Sequence, residues 1–151
     1  MIKIICVGRI KEKSLKELIK EYEKRLSKYT KIEIIELDDI NDKDIKKELE
    51  LEKELIKKHI KEKDNIVILD IKGKEYNSLD FSKFIEKELS FNSNITFIIG
   101  GSNGLDEEIK ELSNKKVSFS KLTFPHQLFR LLLMEQIYRS FKILNNESYH
   151  K

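Results

Sequence analysis

Two hydrophobic periods alternate along the chain, and the switches between them mark out a succession of strands and helices. Ile2 to Val7 is β-branched and closes at Gly8, which predicts a first strand. Behind Ser14, read as a cap with Glu17 three places on, Leu15, Leu18, Ile19, Tyr22 and Leu26 recur at helical spacing. Ile32 to Leu37 alternates as a second strand, and the acidic Asp38 to Asp42 reads as a turn. Asp44 to Lys63 predicts a long, highly charged, exposed helix, with Ile45, Leu49, Glu52, Leu55, Ile56 and Ile60 near one stripe.

Asn65 to Ile71 and Ile95 to Ile99 are almost continuously apolar, as strands covered on both faces are. Between them lie a turn at Lys72-Gly73-Lys74 and a short helix over Leu79 to Leu89. Asp106 to Ser113 predicts another short helix, and Lys116 to Phe119 a last strand. Pro125 then opens the strongest helix, running to Leu144, with Thr123 upstream as its cap. That helix is apolar on more than one face, which asks for a core position or a contact with a second copy, and the small size of the domain favours the dimer contact. Strands alternating with helices across short loops predict an α/β fold: one domain over 1–151, a mainly parallel sheet and helices on both faces.

Charge alters this picture little. Charged residues reach 38% but nearly balance, leaving a net charge of +3 that permits a polyanionic partner without requiring one. Cys6 is the only cysteine, which excludes an internal disulfide and a cysteine-built zinc site. The apolar stretch in MIKIICVGRIKEK is too short for a secretory signal, and no apolar run has membrane-spanning length. The expectation is a cytoplasmic protein with no metal and no membrane partner.

Four segments carry candidate chemistry. Gly100, Gly101 and Gly104 follow a buried strand, where open α/β sheets bind ligands, although a plain tight turn explains them equally. Their spacing fits neither dinucleotide nor P-loop patterns, and Asp106, Glu107 and Glu108 behind them disfavour a polyphosphate. An uncharged or cationic ligand is expected, and S-adenosylmethionine meets that condition. Leu69 to Lys74 and Phe119 to Phe124 are two further strand-end loops on the same edge. Fourth comes the ending Tyr149-His150-Lys151, which joins a ring that stacks, a group that titrates near neutrality and a cation; fraying is the default for any such tail.

IIGGSNGLDEEI, SFSKLTFPHQLFRLLLMEQIYRSFKIL and ESYHK, with VGRIKEK, EYEKRLSKYT and LDIKGK upstream, resemble the ribosomal RNA large-subunit methyltransferase H family of the SPOUT class over essentially the whole chain. The resemblance implies methylation of N3 of a pseudouridine in 23S ribosomal RNA, a C-terminal trefoil knot that periodicity does not reveal, and a homodimer. It places S-adenosylmethionine against Leu69, Gly100, Phe119, Ser120, Lys121, Leu122, Thr123 and Phe124. For the reaction itself the candidates are His150 and Tyr149, with Arg130 or Arg139 stabilising negative charge; His126 is read as orienting the cofactor loop or starting the helix. Arg9, Lys11, Lys13, Arg25, Lys28 and Lys151 are the candidate RNA contacts. The alternatives are a non-catalytic RNA- or ribosome-binding protein of the same fold and a small nucleotide-binding α/β protein.

Overall fold

Successive side chains of a strand point to opposite faces, and in β1 (Ile2–Val7) all six positions are buried. A strand so covered needs packing on both sides. The computed structural model, which describes residues 1–151, supplies it through the elements α1 (Lys13–Leu26), β2 (Ile32–Leu37), α2 (Ile45–Lys57), β3 (Ile66–Glu75), α3 (Ser78–Phe91), β4 (Ile95–Ile99), α4 (Glu107–Glu111), β5 (Lys116–Ser118) and α5 (His126–Leu144). The strands form one sheet of order β2-β1-β4-β3-β5, and every pairing in it is parallel. No helix is long and apolar enough to cross a membrane.

The parity of the strand residues sorts the core into two. Ile2, Ile4, Cys6, Val67, Leu69, Ile95, Phe97 and Ile99 pack with Ile19, Phe81, Ile85, Leu133 and Ile137, so α1, α3 and α5 cover one face. Ile5, Val7, Ile66, Ile68 and Ile98 pack with Ile56 and Ile109, so α2 and α4 cover the other. Burial pushes the Cys6 thiol up to about 12, so it stays a protonated, inert core group.

Several boundaries differ from the sequence reading. Helix α1 begins at Lys13 behind Glu12 with no side-chain cap, so Ser14 lies in its first turn rather than capping it. Helix α2 ends at Lys57 and is less exposed than its charge predicts, because Glu48, Glu52 and Lys53 are buried beneath it. The turn expected at Lys72 to Lys74 is absorbed into β3: Val117 of β5 pairs with Leu69 and again with Lys74 across a bulge. At α5, Pro125 occupies the cap position with no side-chain cap bond, and Thr123 is exposed in the loop before it.

Part of the apolar excess of α5 is spent inside the chain: Leu133, Met134, Ile137 and Phe141 are buried where the helix lies between α1 and α3 on the sheet. Tyr29 stacks on Phe141 at 5.5 Å between centroids, Tyr22 meets Tyr138 edge-on at 6.0 Å, and Ser78 Oγ donates to Gln136 Oε1 at 2.9 Å. Past Leu144 the chain reverses rather than fraying. Asn146 takes a left-handed φ of 54°, its N–H donates to the Ile143 carbonyl, and the Glu147 N–H donates to that of Lys142. This paired closure satisfies the last carbonyls of the helix and turns residues 147–151 back along it. Glu147 then meets Lys142 and the Tyr29 hydroxyl.

Only glycine or asparagine adopts that conformation cheaply. Asn146→Gly should leave stability within about 0.5 kcal/mol, whereas Asn146→Val should lose about 1–2 kcal/mol in chemical denaturation. The valine variant should also lose hydrogen-exchange protection at the Glu147 amide; unchanged protection would mean that the reversal does not depend on Asn146.

Candidate functional site

A parallel sheet gathers the carboxyl ends of its strands on one edge. There the loops after β3, β4 and β5 enclose a cleft of about 320 Å³, within the usual size range of small-molecule sites. Leu69, Ile99, Leu105, Val117 and Phe129 provide apolar walls; Gly100, Gly101, Ser102 and Gly104 close one side, and Ser118 to Ser120 with Leu122 to Phe124 the other. Of the eight residues expected to hold a cofactor, Leu69, Gly100, Phe119, Ser120, Leu122, Thr123 and Phe124 line this cleft, while Lys121 is exposed outside it.

Each wall has a local cause. A Cβ at Gly100 would drive into the Gly104 carbonyl, so the β4 loop closes on itself only with glycine there. In the β5 loop, Ser118 Oγ donates to the Ser120 carbonyl at 3.0 Å, and Ser120 Oγ accepts the Leu122 N–H at 3.0 Å. Those short bonds hold the loop without secondary structure. Phe119 packs on Phe129 at 5.0 Å and on Phe81 at 5.6 Å, which pins the loop to α5 and α3.

The charges differ from expectation. Asp106, Glu107 and Glu108 do not line the cleft. Asp106 Oδ1 caps α4 by accepting the Glu108 N–H at 2.9 Å, and Glu108 binds Lys53 and Lys57 of α2 at 3.1 and 2.9 Å. The carboxylate that faces the cleft is Asp70, with Lys110 3.8 Å away, and Lys72 also lines it. The sequence reading did not single out Asp70, although its place directly after a buried strand was a usable signal.

His126, at the start of α5, lines the cleft with Nε2 buried and unpartnered beneath Gly8, whose φ of 94° and crowded surroundings exclude a side chain. One turn on, Arg130 is 1% exposed; Nη2 donates to the Gly8 carbonyl at 2.8 Å and Nη1 lies 3.1 Å from Glu36. Its charged partner is Glu36, and its burial leaves it outside the lining of the cleft.

Arg139 sits in a cluster with the returning tail. Its Nε and Nη2 bind Glu135 Oε1 at 3.0 and 2.7 Å, its guanidinium lies 4.7 Å from the Tyr149 ring centroid, and Nη1 is 3.2 Å from His150 Nδ1. Tyr149 packs edge-on against Tyr138 at 5.0 Å and donates to Glu135 Oε1 at 3.2 Å. Burial, then Tyr22 and Glu135, push its phenol far above the ordinary tyrosine value. His150 is exposed and lines a second cleft, between the start of α3 and the middle of α5.

The expected RNA contacts do not form one patch. Arg9, Lys11 and Lys13 lie exposed near the carboxyl end of β1, Arg9 at 2.5 Å from Asp38 and Lys13 at 3.9 Å from Glu17. Arg25 and Lys28 stand at the other end of α1, roughly 20 Å along its axis, with Arg25 bound to Glu21 at 3.0 Å and lying over Tyr22 and Tyr138. Lys151 is exposed. On the opposite face of the glycine loop, Glu52 is buried beside Glu48 and Asp39; Glu48 Oε1 accepts from Asn103 of that loop at 3.0 Å. Burial raises the Glu52 carboxyl to about 7, an Ile40 N–H bond partly offsets this, and the two neighbouring acids add to it.

The family model described as predicted SPOUT methyltransferase matches residues 1–150. Among similar proteins, one from Caldicellulosiruptor saccharolyticus is 50% identical over all of both chains, and one from Clostridium botulinum is 54% identical over 99% of both. Each is named ribosomal RNA large subunit methyltransferase H. In fold, the chain resembles the crystal structure of tRNA (m1G37) methyltransferase from Aquifex aeolicus, with a TM-score of 0.50 at 15% identity over 91% of this chain and 69% of that one.

The raised Glu52 carboxyl makes stability pH-dependent. Between about 4.5 and about 7 the folded protein keeps a proton that the unfolded chain has released, so this group's contribution falls as pH rises through that window. The fall should reach roughly 3 kcal/mol, the linkage value of such a shift. Glu52→Gln should remove that slope and raise the melting temperature at pH 8; melting curves of equal slope for both proteins would refute the assignment.

Proposed function

Because the chain belongs to the SPOUT methyltransferase family, we propose that it transfers a methyl group from S-adenosylmethionine to N3 of a pseudouridine in 23S ribosomal RNA, in the cytoplasm. The observation that carries this reading is the convergence of the Leu69, Gly100 and Phe119–Phe124 loops on one cleft. Relatives half identical over the full chain, named for methylation of large-subunit ribosomal RNA, support the substrate class.

The cleft suits the cofactor in shape and chemistry. Its apolar walls accept a flat purine, the glycine loop lets backbone groups approach closely, and Asp70 offers a carboxylate to a cationic ligand. When bound, S-adenosylmethionine supplies a methyl group made electrophilic by its sulfonium. The chain's own residues have the tasks of holding the two reactants in line and excluding water. Leu69, Gly100 and the Phe119–Phe124 loop hold the donor, with Lys121 at the outer rim. His150, steadied by Arg139 and Tyr149, is the tail group that meets the RNA base. Arg130 fixes the start of α5 from the interior.

Two further parts of this reading concern architecture. The family's knot fits a chain whose β5 loop leads into α5 between α1 and α3. A homodimer would cover the exposed Leu122 and Leu128 and the half-buried Leu131 beside the cleft.

Large-subunit RNA from cells lacking the protein should lack one methyl on one pseudouridine by mass spectrometry, and intact methylation would refute the function. Calorimetry should show binding of S-adenosylmethionine, and Gly100→Val should weaken it by tenfold or more. Deleting Tyr149 to Lys151 should abolish methylation while changing cofactor affinity less than about threefold. Full activity after that deletion would remove the tail from the reaction.

A further inference from the structure

A lysine attracts a polyanion from solution only as far as no neighbouring carboxylate cancels its charge. Arg9, Lys13 and Arg25, expected to meet RNA, are each held by an acid, and Lys110 lies between Asp70 and Glu107. Lys72, Lys74, Lys116 and Lys121 differ, since none of them forms an ion pair. Three of the four are exposed, and Lys116 is half-buried.

The bulge of β3 brings these lysines together. Val117 pairs with Leu69 and again with Lys74, so Asp70 to Gly73 loop out between the two pairings. Asp70 Oδ1 accepts the Lys72 N–H at 3.1 Å, which bends the loop, while Oδ2 faces Lys110 inside. Lys72 is thereby carried to the lining of the first cleft. On the return, Gly73 lies against β5 so closely that a Cβ would stand 2.6 Å from the Lys116 carbonyl carbon. Lys72, Lys74 and Lys116 thus flank one point of the β3–β5 seam. Lys121 extends the row in the β5 loop, between Ser120 and Leu122 of the cleft wall.

The row follows a rim rather than filling a pocket. Lys74 Nζ rests 4.8 Å from the Tyr76 ring centroid, and Tyr76 lines the second cleft, which shares Phe119 and Phe124 with the first. That second cleft has no lysine, arginine or carboxylate of its own. Glu75 is the one exposed acid on the same stretch of β3. Lysine on an edge strand also blocks edge-to-edge pairing, but this accounts for Lys116 alone, because β5 covers β3.

We propose that Lys72, Lys74, Lys116 and Lys121 form a docking row for the RNA backbone, binding phosphates beside the target nucleotide while its base is presented at the mouth of the cofactor cleft. The inference rests on the methyltransferase reading above and adds the path of the strand. Ammonium groups on flexible stems hold phosphodiesters as point charges and read no sequence. Position favours RNA over an acidic protein: a nucleotide whose base enters the cleft brings its own phosphates to the rim, within reach of these side chains.

The test compares salt dependence with turnover. Labelled oligouridylate is titrated by fluorescence anisotropy into the full chain saturated with S-adenosylhomocysteine, between about 50 and 200 mM KCl. The double substitution Lys74→Gln, Lys116→Gln should reduce the slope of log affinity against log salt by about 1.4, and adding Lys72→Gln and Lys121→Gln should bring the reduction to about 2.8. Lys58→Gln with Lys61→Gln, exposed ahead of the amino end of β3, should leave the slope unchanged. Neither Lys74 nor Lys116 lines the first cleft, so the double variant should bind S-adenosylmethionine within twofold of the wild type. On ribosomes from cells lacking the protein, it should raise KM at least fivefold and change kcat less than twofold. An unchanged slope in the double variant, or an equal reduction in the Lys58 and Lys61 control, would overturn the proposal. A raised KM on ribosomes without a change in the oligouridylate slope would assign the row to a protein partner and overturn it as well. A wild type that shows the predicted slopes but methylates no ribosomes would support the row and defeat the reading beneath it.

Discussion

The buried guanidinium of Arg130 is the contact on which the arrangement of the site depends. It joins three parts of the chain far apart in sequence: α5, the Gly8 carbonyl at the end of β1, and Glu36 on β2. Glu36 also accepts the Ile10 N–H at 2.8 Å, so the turn leaving β1 is fixed by the same pair of charges. Burying the guanidinium costs desolvation energy, which its bond to the Gly8 carbonyl and its pairing with the partly exposed Glu36 offset. What the pair secures is position. With the first turns of α5 anchored under Gly8, the Phe119–Phe124 loop has a set distance to cross, and both clefts inherit their common wall from it.

The two faces of the sheet contribute unequally. The face under α1, α3 and α5 is aromatic, and its rings run without interruption from Tyr76 and Phe81 through Phe119 to Phe129. The face under α2 and α4 is thinner and carries its charges close to the core: Lys53 and Lys57 gather on Glu108, and Glu52 and Glu48 lie against the glycine loop. One face thus shapes a ligand surface, while the other tensions the loop that closes it. This division explains how a chain with 38% charged residues keeps its second cleft free of fixed charge.

Much of this was legible in the amino-acid order, and the rest was hidden for identifiable reasons. Continuous apolar runs at Asn65 to Ile71 and Ile95 to Ile99 announced central strands because covered faces leave no room for polar residues. The three loops that enclose the first cleft were legible because parallel strands place their ends together. The bulge that carries β3 through Lys72-Gly73-Lys74 was not, since it exists only through pairing with Val117 nearly fifty residues on. The partner of Arg130 was equally out of reach, since Glu36 lies on β2, far earlier in the chain. Composition likewise showed Asp106 to Glu108 as free acids, where the fold gives Glu108 two lysines and turns Asp106 into a cap. Local rules see what is near in sequence, and these three features are all long-range or tied to one.

The reversal at Asn146 has a consequence for where the tail can be found. A free pentapeptide would sample a large volume around the end of α5, and its histidine would meet the cleft only now and then. Folding residues 147–151 back against Tyr29, Tyr138 and Glu135 turns that encounter into a neighbourly one. The gain is one of effective molarity, in which the tail's ordering entropy is met during folding rather than at each encounter with a ligand. A few residues bent the right way thereby do for this small protein what a separate lid domain does for a larger one.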